Sequence, residues 1–282
     1  MLPSRRIGPF TVTALPDGEG PFFSARSEAF PDATDDQWAA ADRFDPGAVT
    51  ADGRWWLRFR AFAVRGERGV TLVDAGIGPA DGPAASWAPV PGVLPDSLAA
   101  AGIDPADVDT VVLTHLHTDH VGWAVVGAGE HARPYFPNAR YLLQEAEFDA
   151  LDTVNPQLRS RLIDPLRATG QLRLLDGDTS LRGGERVIAT PGHTPGHQSL
   201  LVTSGREQLA VTGDVLVHAL QLLHPALAYA HETDPVQARA SRERLLRGRT
   251  ADTLHLATPH LTAPFVPAHH PGVTGPEPDP AQ

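Results

Sequence analysis

The sequence predicts an α/β protein in which two sheets pack face to face with helices outside. Three observations carry this reading. Short apolar runs of strand length alternate with helix-like stretches. They fall into two similar successive stretches. Ligand-type side chains stand just beyond the ends of the strands, where α/β architectures gather binding groups. At 282 residues the chain reads as a single domain over 1–270, with 1–50 as an N-terminal flap or extension and 271–282 as a tail.

The stretch from Asp17 to Trp38 is aromatic and rich in Pro and Gly, which suits a flap over an apolar substrate; Phe22, Phe23, Phe30 and Trp38 are its candidate lining residues. Such aromatics serve equally to anchor a long loop, since they bury large apolar areas in either role. Residues 55–64 and 69–74 read as two strands divided by R-G-E-R-G. The first alternates through Leu57 to Phe62 like a half-buried strand, and the second is the short apolar run of a covered one. Asp96 to Ala101 is helical, and 111–114 is a buried strand that stops at His115. The strand 139–144 runs straight into a helix over 145–151. Strands at 186–190, 198–203 and 208–212 follow, divided by glycine-containing turns. A helix over 235–247 has proline in its first turn and arginines at its end, as the helix dipole favours. The last strand, 253–258, stops just before Pro259 and His260, and the Pro-rich stretch 271–282 has no apolar anchor and reads as disordered.

Composition narrows the chemistry. A net charge of -11 without a cluster of Lys and Arg argues against nucleic acid as a partner and for a small-molecule substrate. There are no cysteines, so thiolate ligands, cysteine nucleophiles and disulfides are excluded, and any metal is held by His and carboxylate. The N-terminus lacks the apolar run of a secretory signal, and no stretch approaches the ~20 apolar residues of a membrane span, so the expectation is a cytoplasmic protein with no membrane partner. A homodimer is compatible with the sequence.

T-H-L-H-T-D-H at 114–120 places three imidazoles and a carboxylate within six residues. A lone histidine is more often a solvated or core residue, but few structural roles call for this cluster. Each member is a ligand for a borderline metal such as zinc, and a tight turn can send His115 and His117 to one ion and Asp119 and His120 to a second. His193 follows a later strand on a Pro/Gly turn, Asp214 follows another, and His260 follows the last. A carboxylate can bridge two cations, which makes Asp214 the natural shared ligand.

This pattern resembles the metallo-β-lactamase fold superfamily: H-x-H-x-D-H at 115–120, His193, the G-D of Asp214 and the late His260, preceded by V-D-A-G-I-G at 73–78. The resemblance implies an αββα sandwich with the site at one edge between the sheets. It implies one metal on His115, His117 and His193, a second on Asp119, His120 and His260, and Asp214 between them, with Asp74 supporting the site from behind. The ions implied are two divalent cations, zinc foremost, with Mn, Fe or Co as substitutes. The activity implied is hydrolysis by a hydroxide shared between the metals, with Asp119 orienting it and passing its proton to the leaving group. The runs T-P-G-H-T-P-G-H-Q-S and G-D-V-L-V-H-A-L-Q-L-L-H-P resemble the branch of quorum-quenching lactonases and methyl parathion hydrolases, so a lactone, ester or related apolar substrate is expected. Lactonases of that branch usually carry a tyrosine three residues after the bridging aspartate; here Val217 stands there, and His218 becomes the candidate to polarise the carbonyl. Trp123, close behind the ligand turn, is a further pocket candidate. The rival activities are an iron-dependent sulfur dioxygenase of the same fold and a β-lactam or phosphotriester hydrolase.

Overall fold

The computed structural model describes residues 1–67, 69–247 and 253–268; the stretch 271–282, expected to be a tail, lies outside them. Among the described residues the strands run β1 (Ser4–Ile7), β2 (Phe10–Pro21), β3 (Trp56–Gly66), β4 (Gly69–Val73), β5 (Val108–Val112), β6 (Val125–Val126), β7 (Arg133–Pro134), β8 (Arg140–Gln144) and β9 (Leu172–Leu175). They continue with β10 (Thr179–Ser180), β11 (Glu185–Ala189), β12 (Gln198–Ser204), β13 (Glu207–Val211), β14 (Leu254–Ala257) and β15 (Phe265–Pro267). The first sheet has the order β1-β2-β3-β4-β5-β8-β9, the second β10-β11-β12-β13-β14-β15, and β6 pairs with β7 apart from both.

The two sheets share an interior. Phe10, Val12, Phe62, Val64, Val73, Val112 and Leu142 of the first meet Val187, Leu200, Val202, Leu209 and Val211 of the second. Successive side chains of a strand point to opposite faces. The intervening residues of the first sheet, among them Ala61, Ala63, Leu72 and Val111, therefore pack outward with Leu94, Leu98, Leu151 and Leu166, which lie on helices. The outer face of the second sheet is covered by Leu220, Leu222 and Leu245 together with the N-terminal aromatics. The result is the helix, sheet, sheet, helix layering expected. The helix Pro235–Leu246 starts where Asp234 accepts hydrogen bonds from Val236 and Gln237 N–H, so capping fixes its first turn.

The first fifty residues differ from the flap expected there. Residues 4–21 are sheet: β2 pairs antiparallel with β3 from Thr11 to Pro21, burying Phe10, Val12, Ala14 and Leu15. The polar half of that alternation and the turn-like P-D-G-E-G hide the strand in the sequence. The register slips between Pro16 and Gly18, which leaves Asp17 as a bulge with its side chain buried. Only from Phe22 onward does the segment cross the site. Among the described residues, no helix is long and apolar enough to cross a membrane.

Candidate metal centre

Each chemically active side chain follows the end of a strand. Asp74 comes after β4, His115 to His120 after β5, His193 after β11, Asp214 after β13 and His260 after β14. The structure brings His115, His117, His193 and Asp214 into one group, and Asp119, His120 and His260 into a second, each with its ligand atoms within 4.8 Å of one another. Asp214 joins the two. Its Oδ2 lies 3.3 Å from His193 Nε2 and 3.8 Å from His115 Nε2. Its Oδ1 lies 3.1 Å from His260 Nε2 and 3.4 Å from His120 Nε2. Asp119 Oδ2 is 3.5 Å from His120 Nε2 and 3.7 Å from His260 Nε2.

These separations suit a metal better than a hydrogen-bond network. Ligands at ~2.05 Å from a tetrahedral ion stand ~3.3 Å apart, close to the spacings found. His115 Nε2, His120 Nε2 and Asp214 Oδ1 are buried without a hydrogen-bond partner of acceptable geometry, a costly arrangement unless a cation takes their lone pairs. His117 Nδ1 lies 3.0 Å from His193 Nε2, so these two ring nitrogens are close enough to share one ion. Burial holds His115 and His193 well below the ordinary imidazole range, in the neutral form that ligates. For His120 burial acts the same way, but the carboxylates of Asp214, Asp119 and Asp74 outweigh it and raise the ring well above its usual value. The spacing of the ligand atoms and the absence of partners for His115 Nε2, His120 Nε2 and Asp214 Oδ1 fit a pair of divalent cations.

The far sides of the His120 and His260 rings are also held. His120 Nδ1 pairs with Asp74 Oδ2 at 2.7 Å, and the same carboxylate accepts from Thr114 N–H at 2.8 Å and from its hydroxyl at 2.9 Å. Asp74 adopts a left-handed backbone (φ 62), a conformation a non-glycine residue keeps only where surrounding contacts enforce it. His260 Nδ1 donates to the Arg58 carbonyl at 2.8 Å. His197, four residues after His193, is no ligand: its Nε2 accepts the Asp214 N–H at 2.8 Å, and burial pushes its pKa down to about 3. Asp74→Ala is expected to weaken metal affinity by about 10- to 100-fold, the usual scale for losing the partner of a ligating histidine. Zinc titration against a competing chelator measures it; an unchanged affinity would show that the protein frame alone orients His120.

Over the two groups lies a cavity of about 200 Å³, lined by Phe22, Phe23, Trp55, Trp87, Val217 and Tyr229 among others, with Asp119, Asp214 and His260 at its base. Phe22 and Phe23 are thus where the sequence suggested. Four other pocket candidates are not. Phe30, Trp38 and His218 form a layer behind the wall, each ring within 5.5 Å of His218 or packed on Trp55. His218 is buried and accepts from Leu220 N–H as a helix cap, so it cannot polarise a substrate carbonyl in the cavity. Trp123 packs on Tyr135 in the other outer core and donates to Asp17 at 3.1 Å. Trp55 and Tyr229 line the cavity without having been singled out in the sequence, and Trp87 and His231 line it with them. Trp55 stands just before β3 and the others in loops, positions that carry no motif.

The family model for the Metallo-beta-lactamase superfamily matches residues 60–260. An N-acyl homoserine lactonase from Bacillus sp is 33% identical over 105 residues, which is 37% of this chain and 37% of that protein. The chain thus spans about two fifths of the length of the curated relatives it matches, 37–40%. Among solved structures, the hydrolase AbOPH superposes with a TM-score of 0.75 at 26% identity, over 93% of this chain and 91% of that one. AidC, a dizinc quorum-quenching lactonase, has a likeness of fold: TM-score 0.73 at 22% identity, covering 94% of this chain and 92% of its own.

Proposed function

Because the chain belongs to the metallo-β-lactamase superfamily, we propose that it is a paired-metal hydrolase acting on a small, uncharged lactone or ester. The observation that carries this is the aromatic cavity whose base is formed by both ligand groups. Among the described residues no Lys or Arg lines it, so an anionic substrate would find no counter-ion from them there beyond the metals. Its volume is below the ~300–1,000 Å³ of pockets that take drug-sized ligands, which favours a compact substrate. The lactonases among the relatives support a lactone, and zinc is the foremost candidate for both ions.

Paired divalent ions, when bound, lower the pKa of a water towards ~7 and polarise a carbonyl oxygen. The protein's own groups do the rest. Phe22, Trp55, Trp87 and Tyr229 exclude water and hold the apolar part of the substrate. Burial raises the Tyr229 phenol far above its usual value, so it keeps its proton and can donate a hydrogen bond to a substrate oxygen. In that role Tyr229 stands in for the tyrosine that Val217 replaces. Asp119, at the base of the cavity, accepts the proton released by the attacking water and returns it to the leaving oxygen.

A screen of lactones, aryl esters, β-lactams and phosphotriesters tests the proposal on protein reconstituted with zinc or manganese. The expected result is turnover of a lactone or ester that disappears on chelation and returns with metal. Stoichiometric iron with oxygen consumption, and no hydrolysis, would replace this reading with a dioxygenase.

A further inference from the structure

We infer that Glu147 is a positioning residue for the half of the centre built by His115, His117, His193 and Asp214, because its carboxylate ties together the two loops that carry those three histidines. The inference rests on the paired-metal reading above.

Glu147 lies in the first turn of the helix Glu145–Val154, is 2% exposed and touches no ligand side chain through a hydrogen bond. Its Oε1 accepts the N–H of Leu116 at 2.8 Å, and its Oε2 accepts the N–H of Gly196 at 2.8 Å. Leu116 stands between His115 and His117, and Gly196 follows His193 by three residues. The next peptide is held too: Asn155 Nδ2, at the end of the same helix, donates to the Leu116 carbonyl at 3.1 Å. At Gly196 there is no room for a Cβ, which would collide with the backbone of Glu147, so the His193 loop is pressed against the helix.

The other half of the centre is secured without Glu147. His120 is held by Asp74 and His260 by the Arg58 carbonyl. Asp74 bears on both halves, since it also accepts from Thr114 beside His115, whereas Glu147 bears on the loops of His115, His117 and His193. The clamp also requires a carboxylate. Two N–H groups face the two oxygens of Glu147, and glutamine, with the same shape, offers one acceptor and turns an amide N–H₂ towards the second donor. Burial raises this carboxyl, while the Leu116 N–H, the Thr194 hydroxyl and the Gly196 N–H oppose the shift.

The test is zinc binding by full-length E147Q, with circular dichroism and a cooperative melt of the metal-free protein as the control for folding. The expected result is that one of the two zinc affinities falls by about 10-fold or more while the other changes little. Excess zinc should restore most of the turnover. In an H260A background, where the other group is disabled, E147Q should weaken the one remaining ion by a similar factor. Cobalt supplied in place of zinc gives a second readout: E147Q should change the visible absorption of one bound cobalt and not of both. Two unchanged affinities, or two that fall equally, would overturn the clamp. If E147Q does not fold, E147D keeps both acceptors but retracts them by one methylene, and the same one-sided loss is expected; no loss or an equal loss would again overturn it. Wild-type protein that takes up fewer than two zinc ions would instead overturn the paired-metal reading, and the one-sided loss with it.

Discussion

Asp214→Asn is expected to lower kcat/KM by about 10³ or more, the upper end of what one electrostatic element of an active site contributes, and to leave at most one tightly bound metal. Asp214 is the residue placed within 4 Å of His115 and His193 through one oxygen and of His120 and His260 through the other. Asparagine keeps the shape but presents an N–H₂ donor to one of the two ligand groups, and a donor cannot ligate a cation. The fold should survive the change. The backbone at this position is fixed by Gly213 (φ 52), where the chain turns left-handed, and by the hydrogen bond from Asp214 N–H to His197 Nε2. Loss of activity would therefore report on the carboxylate and not on the loop. Metal content by elemental analysis and turnover must be read on the same sample. A variant that binds two ions and retains near-normal turnover would show that Asp214 does not join the two groups.

Much of this centre is legible in the sequence because its parts are local and chemically unusual. Three imidazoles and an aspartate within 115–120 call for a metal whatever the fold, and His193, Asp214 and His260 are recognisable by standing just after apolar runs. The two-sheet architecture is legible for the same reason, since strands such as β5 and β13 are short, apolar and bounded by turns. What supports the site is not legible. Asp17 accepts from the N–H groups of Ile77 and Leu94, both at 2.6 Å, and Glu147 from those of Leu116 and Gly196. Partners that are backbone groups 31 to 77 residues away leave no pattern of residue types. The aromatic wall fails differently. Composition marks the N-terminal segment as aromatic, but only tertiary packing decides that Phe22 and Phe23 face the cavity while Phe30 and Trp38 lie one layer behind. Trp55 was hidden by lying next to a strand, where a buried aromatic is expected in any fold.

Asp119→Asn tests the other carboxylate at the base of the cavity, and a separate outcome is expected. Asp119 belongs to one ligand group alone, through Oδ2 near His120 and His260, so its loss threatens a single ion. Asparagine preserves one oxygen for that ion, while its amide cannot accept a proton near neutral pH. If the carboxylate both ligates and carries the proton, turnover should fall by about 10² or more with two metals still bound, the usual scale for general acid–base catalysis. The fall should be smaller for substrates with good leaving groups, such as aryl esters, because an acidic alcohol departs without being protonated. A ligand-only role predicts no such dependence on the leaving group: the loss would follow metal content and be recovered by excess zinc. Near-normal turnover with both ions in place would move the proton to another group, and His231, which lines the cavity outside the ligand set, is the next residue to test by the same leaving-group comparison.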